Sequence, residues 1–167
     1  MNDSLTQADI EKMQAEIEHR KLVVRPQLIA EVKEARAQGD LSENFEYKAA
    51  KQAKNQNESR IRYLEKMIKT AHVYEDKSAD DEVGVNNFVT VLFEEDGEEE
   101  TYKIVSTVRV DSLSNLISFE SPLGKALMGH REGDRVRVEV SADSSYYVKI
   151  LRIENNKDES GDRISSY

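Results

Sequence analysis

The residues best placed to do chemistry are two carboxylates three positions apart, Asp40 and Glu43, in the stretch ARAQGDLSENFEYKAAK (35–51). Carboxylates at this spacing can share a hard cation through oxygen ligands. Two of them cannot complete a Mg²⁺ cage, so a partner would have to supply the remaining ligands. The same spacing is that of a capping box: Asp40 or Ser42 can cap a helix that follows, and carboxylates favour a helix N-terminus. Both readings stay open on spacing alone. Just beyond, Lys48, Lys51 and Lys54 lie with Asn55 on one side of the following helical pattern, and Arg36 adds a charge from the preceding one. They read either as a solvated face or as a small basic patch making phosphate contacts. His19, His72 and His130 do not cluster, and there is no cysteine, so no histidine or thiol ligand set is expected.

Two long helices must position this turn. Apolar residues recur at Ile10, Met13, Ile17, Val24, Leu28, Val32 and Ala35, and again at Tyr47, Ala50, Ala53, Ile61, Leu64, Ile68 and Ala71. These spacings make helical stripes. Each helix has one apolar face and needs the other to cover it, which predicts an antiparallel coiled-coil hairpin over 1–75. The carboxylates then stand on its tip, about 45 Å from the far end of a roughly 30-residue helix. Gly39 fits a left-handed position ending the first helix, Asn57 fits a polar seam residue that fixes register, and Pro26 predicts a bend near Val24–Arg25. From Asp76 the period shortens. FVTVLF (88–93), TYKIVST (101–107), LISF (116–119), RVRVEV (135–140) and YYVKILRI (146–153) read as strands, with a turn at Asp96-Gly97 and a short helix near 124–128. The expectation is an α+β chain with a hairpin at 1–75, a linker at 76–84, a small α+β domain at 85–154 and a polar, partly disordered tail at 155–167.

Composition narrows the function classes. The chain has 167 residues, 24 Lys+Arg and 33 Asp+Glu, for a net charge of −9. Residues 1–75 hold 13 basic and 13 acidic side chains, so the whole excess falls on 76–167; such asymmetry suggests two modules with different partners. An acidic chain gains little from counterion release, which disfavours autonomous binding to duplex DNA. Zero cysteines exclude disulfide scaffolds, zinc ribbons and thiol nucleophiles. No apolar run approaches the roughly 20 residues that span a bilayer, and MNDSLTQADIEK has no signal-peptide pattern. A cytoplasmic monomer without a membrane partner is expected.

The stretch 35–51 resembles the signature of the Gre family of bacterial transcript cleavage factors, nearer its GreA than its GreB branch. The likeness extends to LTQADIEKMQAEIEHRK, VRPQLIAEVKEAR, RIRYLEKMIKTAHV, YKIVS and LISFESPLGKALMGHREGD, in order along nearly the whole chain. It implies a coiled-coil N-terminal domain and an FKBP-like C-terminal domain. It implies that the second domain docks at the secondary channel of bacterial RNA polymerase, against the β′ coiled coil, through Ser121, Pro122, Leu123 and Gly124. The hairpin then reaches the active centre. Asp40 and Glu43 would hold Mg²⁺ jointly with the polymerase, none being bound by the isolated protein, and the polymerase, not this chain, would cleave backtracked RNA. Arg36, Lys48, Lys51 and Lys54 would meet the nascent RNA 3′ end.

Departures from the family pattern fall at Phe45, where Ala is usual, at 104–106, 85–88 and 141–145, and in the tail beyond Asn155. Two other functions fit parts of the sequence. One is a Gre-fold anti-cleavage inhibitor, which would carry a more acidic tip than GDLSEN. The other is an FKBP-like prolyl isomerase or chaperone, which needs an aromatic-lined pocket; the strands show no Trp and no evident aromatic cluster, and Tyr102, Tyr146 and Tyr147 are expected to pack.

Overall fold

The structure, a computed structural model, describes residues 4–39, 44–158 and 162–164. It is α+β, as expected, and divides into two compact units: Ile10–His72, and a second joining Ser4–Asp9 to Val73–Ser166.

The first unit is built from α1 (Gln7–His19), a π turn (Arg20–Val24), α2 (Arg25–Arg36) and α3 (Phe45–Thr70). Pro26 has no N–H, and its ring would press on the carbonyl four residues back in a regular α-helix. The chain answers with one widened turn, in which the Arg25 N–H donates to Arg20 O, five residues back. The disturbance expected at Val24–Arg25 is therefore a π turn ahead of the proline. Helix α2 packs on α3, and Met13, Val32, Ala35, Ile61 and Leu64 are buried. Asn57 is buried among them: Arg20 Nη1 donates to its Oδ1 (3.0 Å), and its Nδ2 donates to Arg20 O (3.4 Å). A polar seam residue paired this way penalises any slip in register. Arg60 to Glu16 (2.9 Å) and Arg25 to Glu58 (2.8 and 3.0 Å) bridge the same stretch.

The second unit is built on a five-stranded sheet. Strands β1 (Phe88–Phe93), β2 (Glu99–Val105), β3 (Leu116–Ser118), β4 (Arg135–Ser141) and β5 (Ser144–Glu154) lie in the order β3-β2-β1-β5-β4. All pairs are antiparallel except β2–β3, which is parallel and is bridged by two short 3₁₀ turns. At the β1–β2 turn, Gly97 takes φ +72°, and its N–H donates to Phe93 O (2.9 Å). Helix α4 (Pro122–Leu127) packs on β4, and the core gathers Val89, Val91, Ile104, Leu127, Val136, Val138, Val148 and Ile150. The segment 76–84 is bound to this unit: Val83 is fully buried, its N–H donates to His130 O (2.8 Å), and Asp76 accepts from the Val85 N–H (2.9 Å). Aromatic rings do cluster here, against expectation. Phe93 lies 6.5 Å from Tyr102 and 5.9 Å from Tyr146, and Tyr74 stacks on Phe119 at 4.6 Å. The half-buried members pack against the core, because alternate positions of neighbouring strands bring them to one face.

A charged network closes this unit. Arg109 and Asp9 are both fully buried, with Nε to Oδ1 at 2.7 Å. Asp162 reaches Arg109 Nη1 (3.0 Å) and Lys103 Nζ (2.8 Å), and Asn86 Oδ1 accepts from Arg109 Nη1 (2.6 Å). Asp9 also accepts from the Thr6 N–H (2.9 Å), while Thr6 Oγ1 accepts from the Asp9 N–H (3.1 Å), so the two form a reciprocal cap for α1. The described tail residues belong to the same region, since Asn156 donates to Asn86 O (3.0 Å) and Asp158 O accepts from Lys103 (2.9 Å).

Candidate functional site

The turn between α2 and α3 is anchored on both sides. Helix α2 closes with the Ala37 N–H donating to Lys33 O and Glu34 O, and Gln38 N–H donating to Ala35 O. Gly39 follows with φ +130°, a backbone region that favours glycine. It sits two residues past the C-cap Ala37, one further than the position read from the sequence. On the other side, Asn44 is the N-cap of α3. Its Oδ1 accepts from the Tyr47 N–H (3.0 Å), and its Nδ2 donates to Ala35 O (2.7 Å). One amide therefore caps the incoming helix and satisfies a carbonyl at the end of the outgoing one. The cap thus falls on Asn44 and not on Asp40 or Ser42, the two residues the sequence offered for it. Asp40 and Glu43 themselves, with Leu41 and Ser42, lie outside the described residues.

The two faces of the hairpin near this turn differ in charge. On one, a groove is floored by Ala35, Ala49, Ala50 and Ala53 and rimmed by Glu31, Glu34 and Glu46. On the other, Lys48, Lys51, Gln52, Asn55, Gln56 and Ser59 line a shallow groove along α3. The expected basic patch thus divides. Lys48 and Lys51 share this groove, whereas Lys54 does not line it. Arg36 is spent across the helices, with its guanidinium 5.7 Å from the Tyr47 ring centroid. Its hydrogen bond holds the Tyr47 hydroxyl below the usual tyrosine range.

In the second unit, Ser121 caps α4: its Oγ accepts from the Gly124 N–H (3.1 Å) and donates to Ser118 O (2.6 Å). Pro122 is exposed at the first helical turn, Leu123 is half-buried against the core, and Gly124 is buried. A Cβ on Gly124 would collide with Ser118 O and the Phe119 backbone, so the glycine lets α4 approach β3. Of the four residues, Pro122 presents the most open surface.

Two family models account for nearly the whole chain. The N-terminal domain of transcription elongation factors matches residues 4–73, and the C-terminal domain of GreA/GreB elongation factors matches 77–155. The chain belongs to the GreA/GreB transcription elongation factor family. Among relatives, the transcription elongation factor GreA of Streptococcus gordonii is 42% identical, over 92% of this chain and 96% of its own length. GreA of Mycoplasmopsis pulmonis is 43% identical, over 89% and 93%. The solved structure of GreA factor homolog 1 (Gfh1) of Thermus thermophilus is 26% identical, covers 92% of this chain and 99% of its own, and superposes with a TM-score of 0.43.

Within this family member, no group of three or more potential metal ligands occurs among the described residues. Asp40 and Glu43 fit a hard divalent cation by the chemistry of their oxygens, but as an incomplete set. The residue that sequence reasoning missed is Asn44. Its signal was present, since Asn ranks with Asp and Ser as an N-cap and directly precedes the helical run. At Asn44 the Ala35 carbonyl accepts from the amide NH₂ while the amide oxygen caps, a pairing that a carboxylate, which has no donor, cannot make.

Proposed function

We propose that this elongation factor inserts its helical hairpin into the secondary channel of bacterial RNA polymerase in the cytoplasm and stimulates endonucleolytic cleavage of backtracked nascent RNA, rescuing arrested complexes. The observation that carries the reading is Asn44. Because its side chain both caps α3 and binds Ala35 O, the N-cap position belongs to Asn44, which leaves a metal-holding role open to the carboxylates of Asp40 and Glu43. In the proposal they complete, with the polymerase's own carboxylates, the ligand set of a shared Mg²⁺. When bound, that ion supplies positive charge against the charge developing at the scissile phosphate. The chain's own part is to deliver and orient the carboxylates on a rod of fixed register. Lys48 and Lys51 line the groove along α3 and hold RNA phosphates without reading sequence. Pro122 and its neighbours Ser121, Leu123 and Gly124 form the docking edge on the β′ coiled coil.

The test is a cleavage assay on stalled elongation complexes carrying labelled RNA 3′ ends. Asp40→Asn and Glu43→Gln should bind polymerase normally, melt at the parental temperature and fail to stimulate cleavage. An Asp40→Asn protein that cleaves at the parental rate across Mg²⁺ concentrations refutes the role of the carboxylate. An intact factor that slows intrinsic cleavage would reveal an inhibitor.

A further inference from the structure

Next to the carboxylate turn stands an aromatic ring that the reading above does not use. Phe45 opens α3 and is 80% exposed. The chain's other phenylalanines, Phe88, Phe93 and Phe119, are buried or half-buried. The nearest large ring on its helix, Tyr47, is turned to Arg36 of α2, with the guanidinium 5.7 Å from its ring centroid, and the positions three and four residues on from Phe45 are Lys48 and Ala49. Its backbone is held by the Asn44 cap, and Lys48 places Nζ 5.6 Å from the ring centroid.

Phe45 also lies in line with the cationic groove. Positions 45, 48, 52 and 55 are separated by 3, 4 and 3 residues, so they share one face of α3. Lys48, Lys51, Gln52 and Asn55 line the groove along that face. The row therefore begins with an aromatic ring and continues with ammonium groups and side-chain amides. This is the composition that holds a single nucleic-acid strand: cations track the phosphates, amides bond sugars or base edges, and a ring stacks on a base. A protein partner seated on Phe45 would instead want an apolar surround, which this face lacks.

We propose that Phe45 is a stacking platform for the nucleobase at the 3′ end of the extruded RNA. The proposal rests on the cleavage reading above and adds a binding residue to it. Stacking on the ring would fix the terminal nucleotide two residues along the chain from Glu43, so the RNA enters the site in a preferred register. The ring contributes through its π face, so larger bases should be held better than smaller ones, and an abasic end not at all.

The experiment uses the full-length protein, Phe45→Ala, Phe45→Leu and Phe45→Trp with backtracked elongation complexes whose RNA ends in adenosine, uridine, an abasic residue or 2-aminopurine. Helical circular dichroism first establishes that each variant keeps its hairpin. Phe45→Ala and Phe45→Leu should slow cleavage of adenosine-ended RNA about tenfold, slow uridine-ended RNA less and leave abasic-ended RNA unchanged, while Phe45→Trp keeps the parental rate. The parental protein should quench 2-aminopurine fluorescence, and Phe45→Ala should not. Equal slowing for every RNA end, abasic included, would show the ring meeting the polymerase wall and overturn the proposal. So would a Phe45→Leu protein indistinguishable from the parent, or quenching that survives Phe45→Ala. If the parental protein itself stimulates no cleavage, the reading beneath the proposal fails, and the proposal falls with it.

Discussion

Changing Asp9 to Asn removes one charge from a buried network while leaving its shape almost intact. Among the described residues the network sets Lys103 and Arg109 against Asp9 and Asp162, with ion pairs of 2.7 to 3.0 Å. Asn can still accept the Thr6 N–H, so the cap of α1 survives, but Arg109 loses the carboxylate that meets its Nε at 2.7 Å. Breaking a buried pair from one side costs about 3–5 kcal/mol, because the remaining charge stays desolvated. Urea unfolding of a unit this size has a slope of about 2 kcal/mol per molar, so the midpoint should fall by roughly 1.5–2.5 M. Hydrogen exchange of the core amides of Val89, Ile104 and Ile150 during the titration reports this unit separately from the hairpin. Combining Asp9→Asn with Arg109→Met should restore much of the loss, since the guanidinium that lost its counter-charge is then gone and Lys103 keeps Asp162. A midpoint within about 0.3 M of the parent for Asp9→Asn, or a double variant weaker than either single one, would refute the account of a buried counter-ion.

Other outcomes follow from the same geometry. Asn44→Ala should lower hairpin stability in a circular-dichroism melt by about 1–2 kcal/mol, with Asn44→Asp between it and the parent, since Asp keeps the cap but cannot donate to Ala35 O. Burial pushes the half-buried Glu16 carboxyl up, but hydrogen bonds and charges from Arg60 and Arg20 outweigh it and hold the group below its ordinary 4.5. Its contribution is therefore present above that value and lost as pH falls through the lower folded value. Melts taken down an acid series should fall less steeply for Glu16→Gln, the residual slope coming from Glu58, which the Arg25 hydrogen bond holds low. Gly124→Ala, which in an ordinary helix would stabilise by about 1 kcal/mol, should here destabilise by about 1–3 kcal/mol, because the new methyl meets backbone that cannot yield.

What the sequence revealed depends on how local the determining contacts are. The apolar stripes through Val32, Ala35, Ile61 and Leu64 predicted the hairpin because a 3.6-residue period is a property of neighbours. The strand FVTVLF is found over the same residues, 88–93. Pro26 announced a disturbance, but its resolution as a π turn depends on the seam opposite, where Asn57 binds Arg20. The cap residue was not legible because Asp, Ser and Asn cap almost equally, and the Ala35 carbonyl that Asn44 also binds lies nine residues back. Least legible was the ion network. Asp9 and Arg109 are 100 residues apart, and no spacing rule joins them. Phe45 was visible as an unusual residue at the tip, but its exposure and its alignment with Lys48 and Gln52 needed the helix start to be placed at Asn44.

The position of Asp162 bears on how the protein is made. The sheet's last strand ends at Glu154, yet one carboxylate that balances Arg109 and Lys103 lies eight residues further on. A ribosome that has released β5 has supplied every strand but not this counter-charge. Until synthesis passes Asp162, the nascent unit holds a guanidinium and an ammonium without this carboxylate between them, and it should open more readily. Chains cut short in that interval by stalling or premature termination would carry a nearly complete sheet with an unbalanced interior, and cellular proteases act on such transiently open states. The segment beyond the sheet thereby ties stability of the unit to synthesis of residues that belong to none of its strands.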